Sequence, residues 1–286
     1  MSVFLNRLSE RLILAVFAVA GTTGIASPVW AGGKLLATPG VAQVEGAGGG
    51  GIVPWAQLAG YASENEILAS AFCSRGDVTD YSLDVCGVQL NLFDRAEISF
   101  AQQNFKVPAF NTDIGQQIVG VKVRLAGDIV YSRWPQISAG IQYKTLQDAD
   151  IAFAVGAEDD SGSDYYLAAS KLHLGALAGY HVFWNLSLRH TTANQLGLLG
   201  FGGPANDTAL NLEGSAAVFL RSDVAVGYEY RQKPDNLQLG EQAWQDLFVA
   251  WFPNKHVNVT LAYLNLGSIA GAKDQTGWYL SLMGNL

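Results

Sequence analysis

The chain of 286 residues has no long apolar run, little charge, two cysteines and four histidines. Its one sustained apolar stretch, Leu12 to Ala20, is far shorter than the roughly 20 residues a membrane helix needs. A mature chain that enters a membrane must therefore do so as a closed barrel, the only other spanning solution. Charged residues are 15% of the chain, where a soluble domain carries about 25%. His173, His181, His190 and His256 have no metal-binding spacing. No nucleophile, base and orienting group share one strand face either: Ser187 and Arg189 have one parity and His190 the other. Neither an enzyme nor a cofactor or metal protein is expected, and the acidic balance argues against nucleic acid.

What is present begins with an export signal. Arg7 and Arg11 flank the start of the apolar run, and Val29-Trp30-Ala31 ahead of Gly32-Gly33 forms a small-residue cleavage site. Residues 1–31 read as a signal peptide and 32–286 as one barrel domain. Its removal leaves 15 basic and 24 acidic residues, a formal charge of −9. Export puts Cys73 and Cys86 where a disulfide can persist. Their spacing leaves two readings open, a hairpin staple or two small apolar strand residues.

Period-two patterning then repeats along the mature chain, the signature of transmembrane strands. Val182, Trp184, Leu186 and Leu188 face one way, while Phe183, Asn185, Ser187 and Arg189 face the other. Similar alternation defines fourteen expected strands, at 34–45, 56–63, 67–74, 81–92, 95–104, 116–126, 136–145, 165–174, 181–190, 209–220, 223–232, 242–252, 256–266 and 277–286. The expected fold is an all-β, antiparallel up-and-down barrel of about fourteen strands, within a range of 12 to 14, because Pro39 suits an edge, a bulge or a plug better than a wall strand. Connections alternate short and long, as periplasmic turns and extracellular loops do. Both ends of the barrel domain are thus expected on the periplasmic side.

Two long loops are apolar, Ile151–Val155 and Leu196–Phe201, and are expected to fold over or into the barrel mouth. The acidic run Glu158–Asp164 lacks EF-hand spacing and reads as a solvated loop. Aromatic residues near strand ends, Trp55, Phe93, Phe105, Trp134, Tyr165, Tyr166, Trp244, Trp251, Phe252 and Trp278, are expected in interfacial girdles. Lys122, Arg124, Lys144, Arg189, Glu213, Glu229, Arg231 and Asp246 share the lumen parity, since a central Arg or Lys facing lipid costs about 2 to 4 kcal/mol. Their mixed signs favour an internal ion network over a charge-selective constriction.

Gly33-Lys34-Leu35-Leu36-Ala37-Thr38, Glu45-Gly46-Ala47 with the glycines through Gly51, Pro54-Trp55, Ala250-Trp251-Phe252-Pro253-Asn254-Lys255-His256 and Gly277-Trp278-Tyr279-Leu280-Ser281-Leu282 resemble a family of exported bacterial proteins, domain of unknown function 3034. The resemblance covers essentially the whole mature chain. It implies an outer-membrane barrel, in contact with lipid, lipopolysaccharide and the insertion machinery, and brings no ligand or catalytic residue. Barrel proteins commonly end in an aromatic residue; Leu286 stands there instead, in parity with Trp278, Leu280 and Leu282. The expected function is a porin-like or gated channel for small or hydrophobic solutes, the alternative a non-transporting surface barrel with an occluded lumen.

Overall fold

A computed structural model describes residues 34–205 and 209–286; the expected signal peptide at 1–31 lies outside them. Twelve strands form one closed barrel, each paired antiparallel with its sequence neighbour, and the last pairs with the first. They are β3 (Ile67–Val78), β4 (Ser82–Leu92), β5 (Ala96–Val107), β6 (Thr112–Ala126), β7 (Gln136–Leu146), β8 (Ser161–Leu177), β9 (Tyr180–Thr191), β10 (Ala209–Arg221), β11 (Val224–Arg231), β12 (Trp244–Trp251), β13 (Val257–Asn265) and β14 (Thr276–Asn285). Closure removes every sheet edge and pairs the backbone within the wall. Period-two alternation sets the two surfaces. Leu188, Leu212, Leu247, Leu261 and Leu280 lie exposed outside, while Ser187, Asn211, Asp246, Thr260 and Ser281 lie buried inside.

The count is twelve, not fourteen. Residues 34–45 and 56–63 do not join the wall; the first contributes only β1 (Val41–Ala42), which pairs with β2 (Gly48–Gly49) from the loop that follows it, and the second contributes no strand. The reason is side-chain size. A wall strand needs a row of bulky residues for its outer face, whereas Ala56, Ala59 and Ala62 are small and fully enclosed. Pro39 is consistent with the same outcome. Residues 37–62 are instead buried throughout and fill the lumen as a plug.

Chain reversals after β4, β6, β8, β10 and β12 lie at one end, with the start of β3 and the end of β14. At the other end the connections 147–160, 192–208, 232–243 and 266–275 are long. The expected alternation holds there but fails at 79–81 and 108–111, where longer strands shorten two expected long loops to three and four residues. Leu196–Phe201 is buried in the long-loop mouth, as its apolarity demands. In the other apolar loop a short helix, α1 (Asp150–Ala154), buries Ala152 and leaves Phe153 exposed.

The aromatic girdle needs correction. Phe93, Trp134, Tyr165, Trp251 and Trp278 are exposed outside, but Trp55, Phe105, Tyr166, Trp244 and Phe252 are buried. Position along a strand gives height in the wall; only parity gives the face.

Candidate functional site

The lumen has three layers. Its middle layer is polar and built around the plug. The plug has almost no secondary structure, so its backbone groups need partners from the wall. Gln89 donates to the carbonyl of Gly46 (2.7 Å), Gln103 to Val44 (2.8 Å), Asn91 to Ala59 (2.7 Å) and Gln136 to Ala56 (2.7 Å). The Ser170 hydroxyl accepts from the Ala56 N–H at 2.9 Å. Lys122 on β6 clamps both limbs, donating to Gly48 (2.7 Å) and Gln57 (2.6 Å) while pairing with Glu97 at 3.2 Å. Glu97 in turn accepts the N–H groups of Gly48 (2.9 Å) and Ala59 (2.7 Å).

Above this clamp lies a balanced network of three bases and three acids. Lys144 pairs with Glu45 and Asp164; Arg189 with Glu213 (2.7 Å), Asp164 (3.0 Å) and Glu45 (3.4 Å); Arg231 with Glu45 (2.6 Å) and Glu213 (3.2 Å). Five of the six come from the wall and carry one net positive charge. Glu45, from the plug, neutralises it. Burial pushes the Glu45 carboxyl upward, but Arg231, Lys144 and Arg189 together outweigh that and hold it well below the usual carboxylate range. Glu229 holds the returning limb, accepting from the Ile52 N–H (2.9 Å) and the Trp55 indole (3.2 Å). The glycine run is required here: a Cβ on Gly50 would lie 1.8 Å from a Glu229 oxygen, and one on Gly48 would lie 2.8 Å from both Glu97 and the Ala59 backbone.

Apolar layers lie on either side. Towards the short-turn end a cavity of about 20 Å³ is lined by Ala37, Ile129, Leu172, Phe183, Phe219 and Phe252. Towards the long-loop end a cavity of about 50 Å³ lies between plug residues Val44 and Ile52, wall residues Leu83, Phe105, Trp244 and Tyr279, and loop residues Leu198, Leu266 and Ile269. A buried ion pair closes its roof. Lys233 binds Glu241 at 2.8 Å and donates to the Ser268 carbonyl at 2.8 Å, while Glu241 accepts from Gln195 and from the Ala270 N–H (2.8 Å). Three long loops are thereby tied together. Burial outweighs the pull of Glu241 and lowers the Lys233 amine to about 8.

Lys122, Lys144, Arg189, Glu213, Glu229, Arg231 and Asp246 are buried, while Arg124 lies partly exposed at the short-turn rim, bound to Asp94. Asp246 faces Glu229 in register, and one of its oxygens has no partner among the described residues. Reading the sequence missed Glu45, Glu97 and Asp164. Glu97 carried the signal already used for the others, since it alternates with Ile98 and Phe100. Asp164 was hidden in an acidic run read as loop, although β8 begins at Ser161 and turns it inward. His190 faces outward near the Tyr165 ring, away from Ser187, as its parity requires. Cys73 and Cys86 oppose one another in register on the outer face, their sulfur atoms at bonding distance.

The fold and lumen define a class, a closed antiparallel barrel with the porin fold and an internal plug. The chain belongs to the family described as protein of unknown function (DUF3034), whose model matches residues 38–283. Among solved structures it is similar to the KdgM porin, at 10% identity over 75% of this chain and 98% of that one, with a TM-score of 0.50. The NanC porin gives 9%, 75%, 97% and 0.49, and Omp33 of Acinetobacter baumannii 9%, 78%, 100% and 0.43. At 10% identity the property shared with the KdgM porin is the fold. No curated protein matches the chain in sequence.

Proposed function

We propose that the protein is an outer-membrane barrel serving as a gated passage for small solutes, closed at rest by its N-terminal plug. The outer belt of Leu, Val and Ile would meet lipid tails, with lipopolysaccharide around the long-loop half. The observation that carries the gating is the kind of bond holding the plug. A permanent filler gains nothing from buried charge, because replacing a buried ion triad with packed apolar residues is often neutral or stabilising. Val41, Val44, Ile52 and Trp55 pack the plug into the lumen, while its seated position is fixed by side-chain bonds to its backbone and by one neutralising carboxylate, Glu45, contacts that water can replace as the segment leaves.

A second reading, an occluded barrel with no transport role, draws on closure at both ends of the lumen. Single-channel recording in planar bilayers separates the two, after heat-modifiable migration on gels has established insertion. The full chain is expected to stay closed with brief openings, and a chain lacking residues 34–63 to carry steady current. A deleted chain that inserts yet stays silent would sink the gated reading in favour of the occluded one.

A further inference from the structure

We infer that the cavity under the long loops is a binding site for a small, uncharged, mainly apolar solute bearing one hydrogen-bond acceptor. Leu83, Phe105, Leu198, Leu266 and Ile269 make it apolar, in a lumen whose middle layer is otherwise polar. Of its polar side chains, Ser74, Tyr279 and Gln195 are hydrogen-bonded to protein groups, whereas Trp244, which lines the cavity and is 5% exposed, has an indole N–H with no acceptor among the described residues. A buried donor left without a partner costs about 1 to 3 kcal/mol. A barrel that needed only filling would place Phe or Leu there. An acceptor oxygen on a solute satisfies the indole while its carbon chain fills the apolar space. Charge is disfavoured, because Lys233, which lies 5.4 Å over the Trp244 ring, is already neutralised by Glu241. The volume of about 50 Å³ suits a short chain or one end of a longer one. Entry requires the loops tied by Lys233 and Glu241 to part.

The proposal deepens the gated reading and rests on it for what the site is for, but binding is measured without transport. The full chain, in lipid nanodiscs with ¹⁵N-labelled tryptophan, is titrated with 2-hexanone and, separately, with n-hexane. Trp244→Phe assigns the indole N–H signal. Saturable displacement of that signal by 2-hexanone is expected, with hexane bound about tenfold more weakly. In Trp244→Phe, followed by calorimetry, the preference for the ketone should vanish while hexane affinity is unchanged. Leu198→Trp, which fills the cavity, should abolish both. Absence of a saturable shift, or equal binding of both probes by the native chain, would overturn the site. Saturable binding together with a deleted-plug chain that passes no current would overturn the gated passage and leave the site standing.

Discussion

The two closures of this lumen are built from different chemistry. From the short-turn end the barrel is shut by a Gly- and Ala-rich segment whose backbone is held by polar wall side chains and whose Glu45 completes an ion network. From the long-loop end it is shut by Leu196, Leu198, Leu199 and Phe201, with one ion pair, Lys233 and Glu241, across the top. Polar contacts are directional and individually replaceable by water, so they specify one seated position and permit release. Apolar packing is non-directional and favours loops staying shut whatever their detailed arrangement. The plug is therefore the more specific closure, and the loops the more general one.

Breaking the shared centre of the network should have the largest effect. Arg189 touches Glu45, Asp164 and Glu213, so Arg189→Ala leaves three buried carboxylates short of a partner. Removing one member of a buried ion pair costs about 3 to 5 kcal/mol, and a loss of that order is expected in urea unfolding of the reconstituted protein. An unchanged midpoint would mean that water already screens the network.

Next in size is a change aimed at the plug alone. Glu45→Gln removes the neutralising charge and leaves the five wall residues to pair among themselves. A weakening of about 1.4 kcal/mol in plug seating corresponds to tenfold more open time, which bilayer recordings would read directly. The unfolding midpoint should move less than in Arg189→Ala. Equal losses of stability without added current would make Glu45 a structural member of the wall rather than a latch.

The difference between these regions is also the difference in what the sequence reveals. Wall strands were legible because one face meets lipid and the other polar groups, and Lys122 or Glu229 could be placed by parity alone. The plug obeys no such rule. Every side of residues 37–62 is buried, so the face a residue takes there does not follow from parity, and two short stretches of the segment imitated further strands. Glu45 was invisible as a partner for Lys144 because the pair is 99 residues apart and joined only by the seating of the plug in the lumen. Asp164 was lost to its neighbours in an acidic run, since composition describes a segment and burial concerns a single side chain.

The loop closure can be sharpened by pH. The Lys233 amine lies at about 8 when the loops are shut and near 10.4 when exposed. The shut form thus binds its proton less tightly than the open form, so raising pH favours closure. Burial of the charged amine weakens closure most below pH 8, and this penalty is lifted progressively between about 8 and 10.4. The closed-to-open ratio should rise about fivefold from pH 8 to 9. Hydrogen exchange of the Leu198 and Phe201 amides, corrected for intrinsic rates, measures it. Lys233→Met should lose the trend, and its persistence there would assign the titration to another group.

The smallest effect belongs to the rim, where a charge pair resembles the network in kind but not in setting. Arg124 binds Asp94 and the Gly127 carbonyl with 17% of its side chain exposed, and Lys34 at the plug's base binds the same Asp94 at 2.6 Å. Partial exposure lets water replace what a mutation removes, so Arg124→Ala should cost about 1 kcal/mol or less. Lys34 keeps Asp94 paired in that variant, and the plug remains seated by Lys122 and Glu45. Its conductance trace should therefore match that of the parent chain. A marked increase in openings would show that the plug is gripped at its entrance rather than in the middle of the lumen, which would reverse the order of control between the rim and the buried network.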